Sequence, residues 1–311
     1  MPASYHVFRS FQGGTVGDCV RESKTGVRMN HSLNSSMIDD GQAKTAQAYA
    51  DAFGTPGHDD PAQMYIEQRY AGYSEENQET WQALFDQQME FLADRASNVY
   101  LDGAKAINLV RDHIPHLDGD KSINTFLKQL TGWQSRAVPG YLPAKAFFAC
   151  LAQRNFPTTI VIRPKQSIDY LPEPDVFHDV FGHVPLHADP VFADFLQTYG
   201  KAALCANDDA DTNRLARLFW FTVEFGLIRE DDRLKLYGSG LISSPGESKH
   251  ALESPDVDRR PFDLDQVCDT SFEIDHYQPI LYVLDSFEQL RDAMNEFANR
   301  ILEKNGETAV R

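Results

Sequence analysis

The sequence has 311 residues, a hydrophobic fraction of 42% and a net charge of −17, with an isoelectric point near 4.9. That length can bury one large core. The acidic balance repels phosphate backbones and anionic lipid, so nucleic acid and membrane surfaces are not expected partners. No apolar run reaches the ~18 residues a membrane span needs. The start, MPASYHVFRSFQGG, lacks a signal-peptide apolar core. Cys19, Cys150, Cys205 and Cys268 are scattered without a C-x-x-C pair. They are expected to be reduced apolar fillers, in a cytoplasmic protein.

Residues 1–57 carry Gly13-Gly14 and Asn34-Ser35-Ser36 and few regularly spaced apolar positions. They are expected to form a flexible leader, with one helix through Ala43–Ala52, ahead of a single domain over 58–311. Ser74 predicts a helix N-cap, with Glu75 and Glu76 favourable to the first-turn dipole. Trp81, Leu84, Phe85, Met89 and Leu92 then follow at helical spacing. Thr159–Arg163 reads as a short strand. Asp189-Pro190 announces another helix. Phe192, Phe195, Leu196 and Tyr199 form its face, and Gly200 is expected to close it. Leu215, Leu218 and Phe219 mark a further buried helical face. Leu234–Tyr237 and Ile280–Leu284 read as strands. Ser286 and Gln289 make a capping-box pattern before the stripe Leu290, Met294, Phe297 and Ile301. The fold expected is mostly α: packed helices with a few short strands. Strands and helices do not alternate, and neither G-x-G-x-x-G nor a P-loop occurs, which excludes a doubly wound nucleotide fold.

The segment Pro174-Asp-Val-Phe-His178-Asp-Val-Phe-Gly182-His183-Val-Pro185 is the richest in chemistry. Pro174 suits a first helical turn, with Asp175 near its positive end. Two histidines five apart sit about 140° apart on an ideal helix. They converge on one metal only if the backbone distorts near Gly182. H-E-x-x-H spacing, with both histidines on one face, is absent here. Glu224 is the sole acidic residue between Asp211 and Glu230, and its neighbours are apolar or aromatic. An unpaired buried carboxylate is costly, and a divalent metal is a suitable partner. Two histidines and one carboxylate are the ligand set of non-haem Fe(II) oxygenases. The same set also binds catalytic zinc, so a zinc hydrolase stays open on these residues alone.

Three motifs, DYLPEPDVFHDVFGHVPL (169–186), LFWFTVEFGLI (218–228) and KLYGSGLISSPGE (235–247), resemble the pterin-dependent aromatic amino acid hydroxylases. The short bacterial phenylalanine-hydroxylating branch is nearest, and weaker similarity runs from about Asp60 to Leu302. The resemblance implies a catalytic domain around a non-haem iron site, with His178, His183 and Glu224 as ligands. It implies hydroxylation of L-phenylalanine to L-tyrosine with O₂ and a tetrahydropterin cosubstrate. Tyrosine or tryptophan is the alternative substrate. A ligand-binding protein that kept the fold without turnover is the alternative outside enzymes.

Residue by residue, the resemblance gives Arg163 the substrate carboxylate, which a planar guanidinium suits. Trp220 matches an aromatic against the substrate ring, and Pro174 the apolar wall around it. Ser243 matches a serine near iron and substrate, and Tyr237 lies on the same stretch. Phe147 matches the phenylalanine stacked on the pterin, with a core role nearly as good a reading. Asp179 matches an acidic position near the pterin. Gly238 and Gly240 are expected to allow close backbone approach. Two positions depart from the animal members: Leu171 replaces a threonine beside the substrate carboxylate, and Phe219 replaces a tyrosine near the iron. With no regulatory domain expected before residue 58 and no heptad tail after Ile301, a monomer is expected.

Overall fold

The computed structural model describes residues 60–140, 142–168, 174–274 and 276–306. The leader 1–57 with its expected helix, Cys19 and Leu171 lie outside the described residues. The expected mostly helical fold is found, with short strands near the middle of the chain. The helix Glu75–Leu92 starts where expected. Ser74 accepts from the Asn77 amide, and Asn77 returns a side-chain oxygen to the Ser74 amide. Trp81, Leu84 and Leu92 are buried on its inner face, and Phe85 and Met89 pack on the same core.

One strand–helix–strand unit was not expected. Strand β1 (Gln134–Val138), the helix Ala144–Ala152 and β2 (Asn155–Thr159) form it, with the strands parallel and Val138 opposite Thr159. The expected strand Thr159–Arg163 is therefore displaced. Its apolar run Ile160-Val161-Ile162 continues past Thr159, but its backbone partners change. The Val161 carbonyl accepts from the Val176 amide at 2.7 Å. The Arg163 amide donates to Asp175 at 3.0 Å. The residues after β2 are thus bonded to the chain entering the histidine segment, not to a neighbouring strand.

The second sheet has the order β4-β3-β6-β5. Strands β3 (Leu227–Glu230) and β4 (Arg233–Leu236) form an antiparallel hairpin. Its two loop residues, Asp231 and Asp232, have φ of 50° and 61°, as a type I′ turn requires. Strand β6 (Ile280–Leu284) lies as expected. Strand β5 (Asp258–Pro261) is charged and on the sheet edge, where a proline is tolerated.

The helix Pro190–Cys205 is capped by Asp189, which accepts from the Phe192 amide at 2.8 Å. It does not end at Gly200. A Cβ there would stand 2.5 Å from the Ala152 amide nitrogen and 2.7 Å from Leu151 Cβ. Gly200 lets this helix lie against Ala144–Ala152, and packing rather than termination selects the glycine. Gly200→Ala is expected to destabilise by at least about 1–3 kcal/mol through overpacking, read as a lowered melting temperature. The last helix, Phe287–Lys304, also packs on Pro190–Cys205, and Leu290, Met294, Phe297 and Ile301 are buried along it. Its N-terminus is half the expected box. Ser286 accepts from the Gln289 amide, but Gln289 accepts from the Asp285 amide, one residue early.

Candidate metal centre

Both histidines and the glutamate lie on widened helical turns. Phe177–His183 is a π-helix, and Trp220–Glu224 is a second one continuing the helix Asp209–Phe219. In the second, the Phe225 amide bonds the Trp220 carbonyl, five residues back. A π-helix closes i→i+5 rings, so residues five apart come onto one face. The expected bend near Gly182 is therefore a continuous widening from Phe177. Gly182 has a different use: a Cβ on it would lie 3.0 Å from the Ser239 carbonyl oxygen and 3.3 Å from Ser239 Cβ. The glycine lets the helix Ser239–Ile242 come up behind the histidines.

His178 Nε2 and His183 Nε2 are 3.2 Å apart. Glu224 Oε1 is 3.4 Å from His183 Nε2, and Oε2 is 3.8 Å from His178 Nε2. The three residues offer ligand atoms within 4.8 Å of one another, and all three are buried. Donors about 2.1 Å from one ion and at right angles are about 3 Å apart, so this spacing fits a single shared metal.

The surroundings set the protonation this needs. Burial, and then the nearby His183, push the His178 imidazole down to about 4, so it is neutral at pH 7. Burial alone raises the Glu224 carboxyl. His183, His178 and the Ser239 hydroxyl outweigh it and hold the group at about 2. Ser243 Oγ is 2.7 Å from His178 Nδ1 and donates to the Ser239 carbonyl at 2.8 Å. With that hydroxyl proton committed, His178 Nδ1–H is the donor to Ser243. Nε2 then carries the lone pair that faces the other ligands.

A cleft opens beside the triad, lined among others by Phe147, Phe156, Thr159, Pro174, Asp179 and Phe219. The expected Pro174, Phe147, Asp179 and Phe219 thus share one cavity with the ligands. Phe147 and Phe219 stand edge to face with centroids 5.9 Å apart. Such an aromatic wall suits a flat heteroaromatic ring. Asp179 Oδ2 accepts from the Thr159 amide at 2.6 Å. Burial pushes this carboxyl up to about 7 against the pull of His183 and Thr159.

Four further expected site residues lie outside the cleft lining. Trp220 is not among the cleft-lining side chains. Its ring stacks on Phe272 at 4.5 Å and tilts against Phe225, and its N–H donates to Gln278. It packs the π-helix that carries Glu224. Ser243 bonds His178 of the cluster, next to the metal position, and is not among the cleft-lining residues. Tyr237 is buried against Phe287 and Gly226 and lies outside the cleft lining. Arg163 is 5% exposed and paired with the fully buried Asp175 through Nε at 2.8 Å and Nη2 at 2.9 Å.

Asp175 and Ser239 are the residues that sequence reasoning missed. Asp175 also accepts from the His178 amide at 3.0 Å, so one carboxylate fixes both Arg163 and the turn carrying a ligand. Its signal was an acidic residue in a first helical turn, which looked like a dipole effect only. Ser239 donates to Glu224 Oε2 at 2.7 Å. Its signal was the spacing of four to Ser243.

A family model of biopterin-dependent aromatic amino acid hydroxylases matches residues 65–307. The phenylalanine-4-hydroxylase of Ralstonia nicotianae is 44% identical over 228 residues, 73% of this chain and 72% of that protein. That of Mesorhizobium japonicum is 45% identical over 222 residues, 71% of this chain and 79% of that protein. A crystal structure of the Chromobacterium violaceum phenylalanine hydroxylase, with bound iron(III) and oxidised 7,8-dihydrobiopterin, is similar at a TM-score of 0.74 and 39% identity. The match covers 83% of this chain and 92% of that one. With its His₂Glu cluster beside an aromatic cleft, the chain belongs to the biopterin-dependent aromatic amino acid hydroxylases.

Proposed function

We propose that this protein is a phenylalanine 4-monooxygenase, converting L-phenylalanine to L-tyrosine with O₂ and a tetrahydropterin at a ferrous site. The observation that carries it is the buried His178–His183–Glu224 cluster opening on the aromatic cleft. Iron and tetrahydropterin, when bound, supply the activation of O₂ for transfer of one oxygen atom to the ring. The chain supplies binding, orientation and polarity. His178, His183 and Glu224 hold the ion and leave its other positions exchangeable. Phe147 offers its ring to the pterin, and Asp179 lies on the same wall. Pro174 and Phe219 bound the space for the aromatic side chain.

Arg163 is the proposed anchor for the substrate carboxylate. Asp175 and the Ile168 carbonyl use three of its five N–H bonds, leaving one on each terminal nitrogen. Ser243, Trp220 and Tyr237 act through packing and ligand positioning.

Product analysis with Phe, Tyr and Trp, with Fe(II) or Zn(II) and with or without tetrahydropterin, tests the reading. Tyrosine from phenylalanine, dependent on both iron and pterin, is the expected result. Activity with zinc and no pterin would point to the hydrolase, and a preference for Tyr or Trp would reassign the substrate.

The protein is further proposed to be a cytoplasmic monomer that binds neither nucleic acid nor membrane. The net charge of −17 supports this. No helix of the described residues is long and apolar enough to cross a membrane. A stable tetramer in sedimentation would overturn the monomer.

A further inference from the structure

We propose that His187 is an acid-sensitive latch: the fold accepts only its uncharged imidazole, so mild acid loosens the packing behind the metal centre. His187 is fully buried, in the turn Val184–Ala188 that follows the first π-helix. Its ring stacks on Trp133 with centroids 4.8 Å apart. Phe156 tilts against it at 4.8 Å, and Phe192 lies nearly parallel to it at 6.2 Å. Neither ring nitrogen has a hydrogen-bond partner among the described residues. A neutral imidazole leaves one donor and one acceptor unmet there. An imidazolium would leave two donors unmet and its charge unpaired, which is far more costly. The Trp133 face attracts a cation, but that gain is small beside the lost hydration of a buried charge.

The surroundings supply no counter-charge. The helices Asn98–Ala106, Ile123–Leu130 and Pro190–Cys205 and the π-helix Phe177–His183 pack on the turn. The charged side chains of those three helices, Asp102, Lys105, Lys128, Asp194 and Lys201, are exposed. Tyr100 and Tyr199 are buried and donate to the Phe181 and Leu215 carbonyls. Cys205 is half-buried. On the π-helix, Asp179 is bonded to the Thr159 amide and His178 to Ser243. Burial, and then His183, push the His187 imidazole well below its ordinary value. The ring is also held in place. The Thr131 hydroxyl donates to the His187 carbonyl at 2.7 Å, and the Trp133 N–H donates to the Ala193 carbonyl at 3.3 Å. His187 therefore reaches water only when this packing opens. Phe156 connects it to the site: its ring packs on both His187 and His183, at 4.8 and 4.7 Å, and lines the cleft. In the unfolded chain His187 titrates near its ordinary value, about 6.5. Below that pH the unfolded chain binds a proton that the folded chain does not. Stability is thus present above about pH 6.5 and is lost as the pH falls.

The test is urea unfolding of the wild-type chain, His187→Phe and His187→Gln at about pH 7.5 and about pH 5.5. Phenylalanine fills the aromatic site, and glutamine keeps polar atoms there; neither gains a proton. One extra proton on the unfolded chain raises its unfolding constant about tenfold per pH unit below about 6.5. Between the two pH values, the wild-type unfolding constant is therefore expected to rise about tenfold relative to that of either variant. Other buried groups, His178 among them, are common to all three chains and drop out of that ratio. A ratio that changes by less than about twofold overturns the proposal. The wild-type chain alone gives a second reading. Its His187 imidazole, followed by NMR in the folded chain, is expected to stay neutral at about pH 5.5. A folded-state midpoint near its ordinary value of about 6.5 overturns the latch, even if neither variant folds.

Discussion

Replacing His178 or Glu224 with alanine is expected to remove bound iron and tyrosine formation together, by more than about 100-fold. Losing an outer-shell partner of a metal ligand already costs about 10–100-fold in affinity or activity, and losing the ligand itself costs more. The two variants fail for different reasons. Glu224→Ala leaves two imidazoles and removes the only carboxylate donor of the cluster. His178→Ala removes a nitrogen 3.2 Å from His183 Nε2 and the imidazole that bonds Ser243, whose hydroxyl keeps its bond to the Ser239 carbonyl. Metal content after gel filtration and tyrosine yield from phenylalanine are the measurements. Full hydroxylation by an iron-free variant would falsify the assignment. The burial that keeps His178 neutral and the histidines that hold Glu224 at about 2 mean that both ligands are ready for a cation near pH 7.

The second large effect is one of stability. Asp175→Ala is expected to destabilise the fold by about 3–5 kcal/mol, the cost of stranding one member of a buried ion pair. Arg163 would stay buried without its counter-charge. The amides of Arg163 and His178 would lose their acceptor. The pair also has a pH signature. Burial alone would raise the Asp175 carboxyl, but the Arg163 charge and the bonds donated to it win, and the folded value lies below the usual one. A lowered folded value means stability present above about pH 4, the unfolded value, and lost as pH falls through the folded one. Denaturant titrations between neutral and acid pH should therefore show wild type losing stability that Asp175→Ala never had. A variant within about 1 kcal/mol of wild type at pH 7 would contradict the pair's role.

Much of this protein is legible in its sequence because the deciding interactions are local. Ser74 and Asp189 cap their helices through residues three positions away, so a few letters carry the whole motif. The stripes Trp81–Leu92 and Leu290–Ile301 follow from helical periodicity alone. The three candidate metal ligands stood out by residue type and apolar context, with zinc still open on those residues alone, and the motifs pointed to the family. Other expectations failed where a distant partner decided the outcome. Thr159–Arg163 carries a strand-like β-branched run, but its backbone groups are taken by residues 175, 176 and 179, so the strand stops at Thr159. Gly200 looks like a helix stop until Ala152 is found against it. For Trp220 and Ser243 the structure adds partners that the sequence could not name: their polar atoms are bound to Gln278 and His178.

The histidine pair shows the division most clearly. The sequence alone determined that His178 and His183, five apart, could meet on a metal only if the helix departed from α geometry, and that Glu224 needed a positive partner. Only the tertiary structure decided how. The turn widens into a π-helix whose hydrogen bonds span five residues, and Gly182 admits the Ser239 turn that carries the two hydroxyls. The physical reason is that a π-helix is not favoured by local sequence. It is found here where contacts from Ser239, Ser243 and Asp175 close around it, and those residues are adjacent only after the chain has folded.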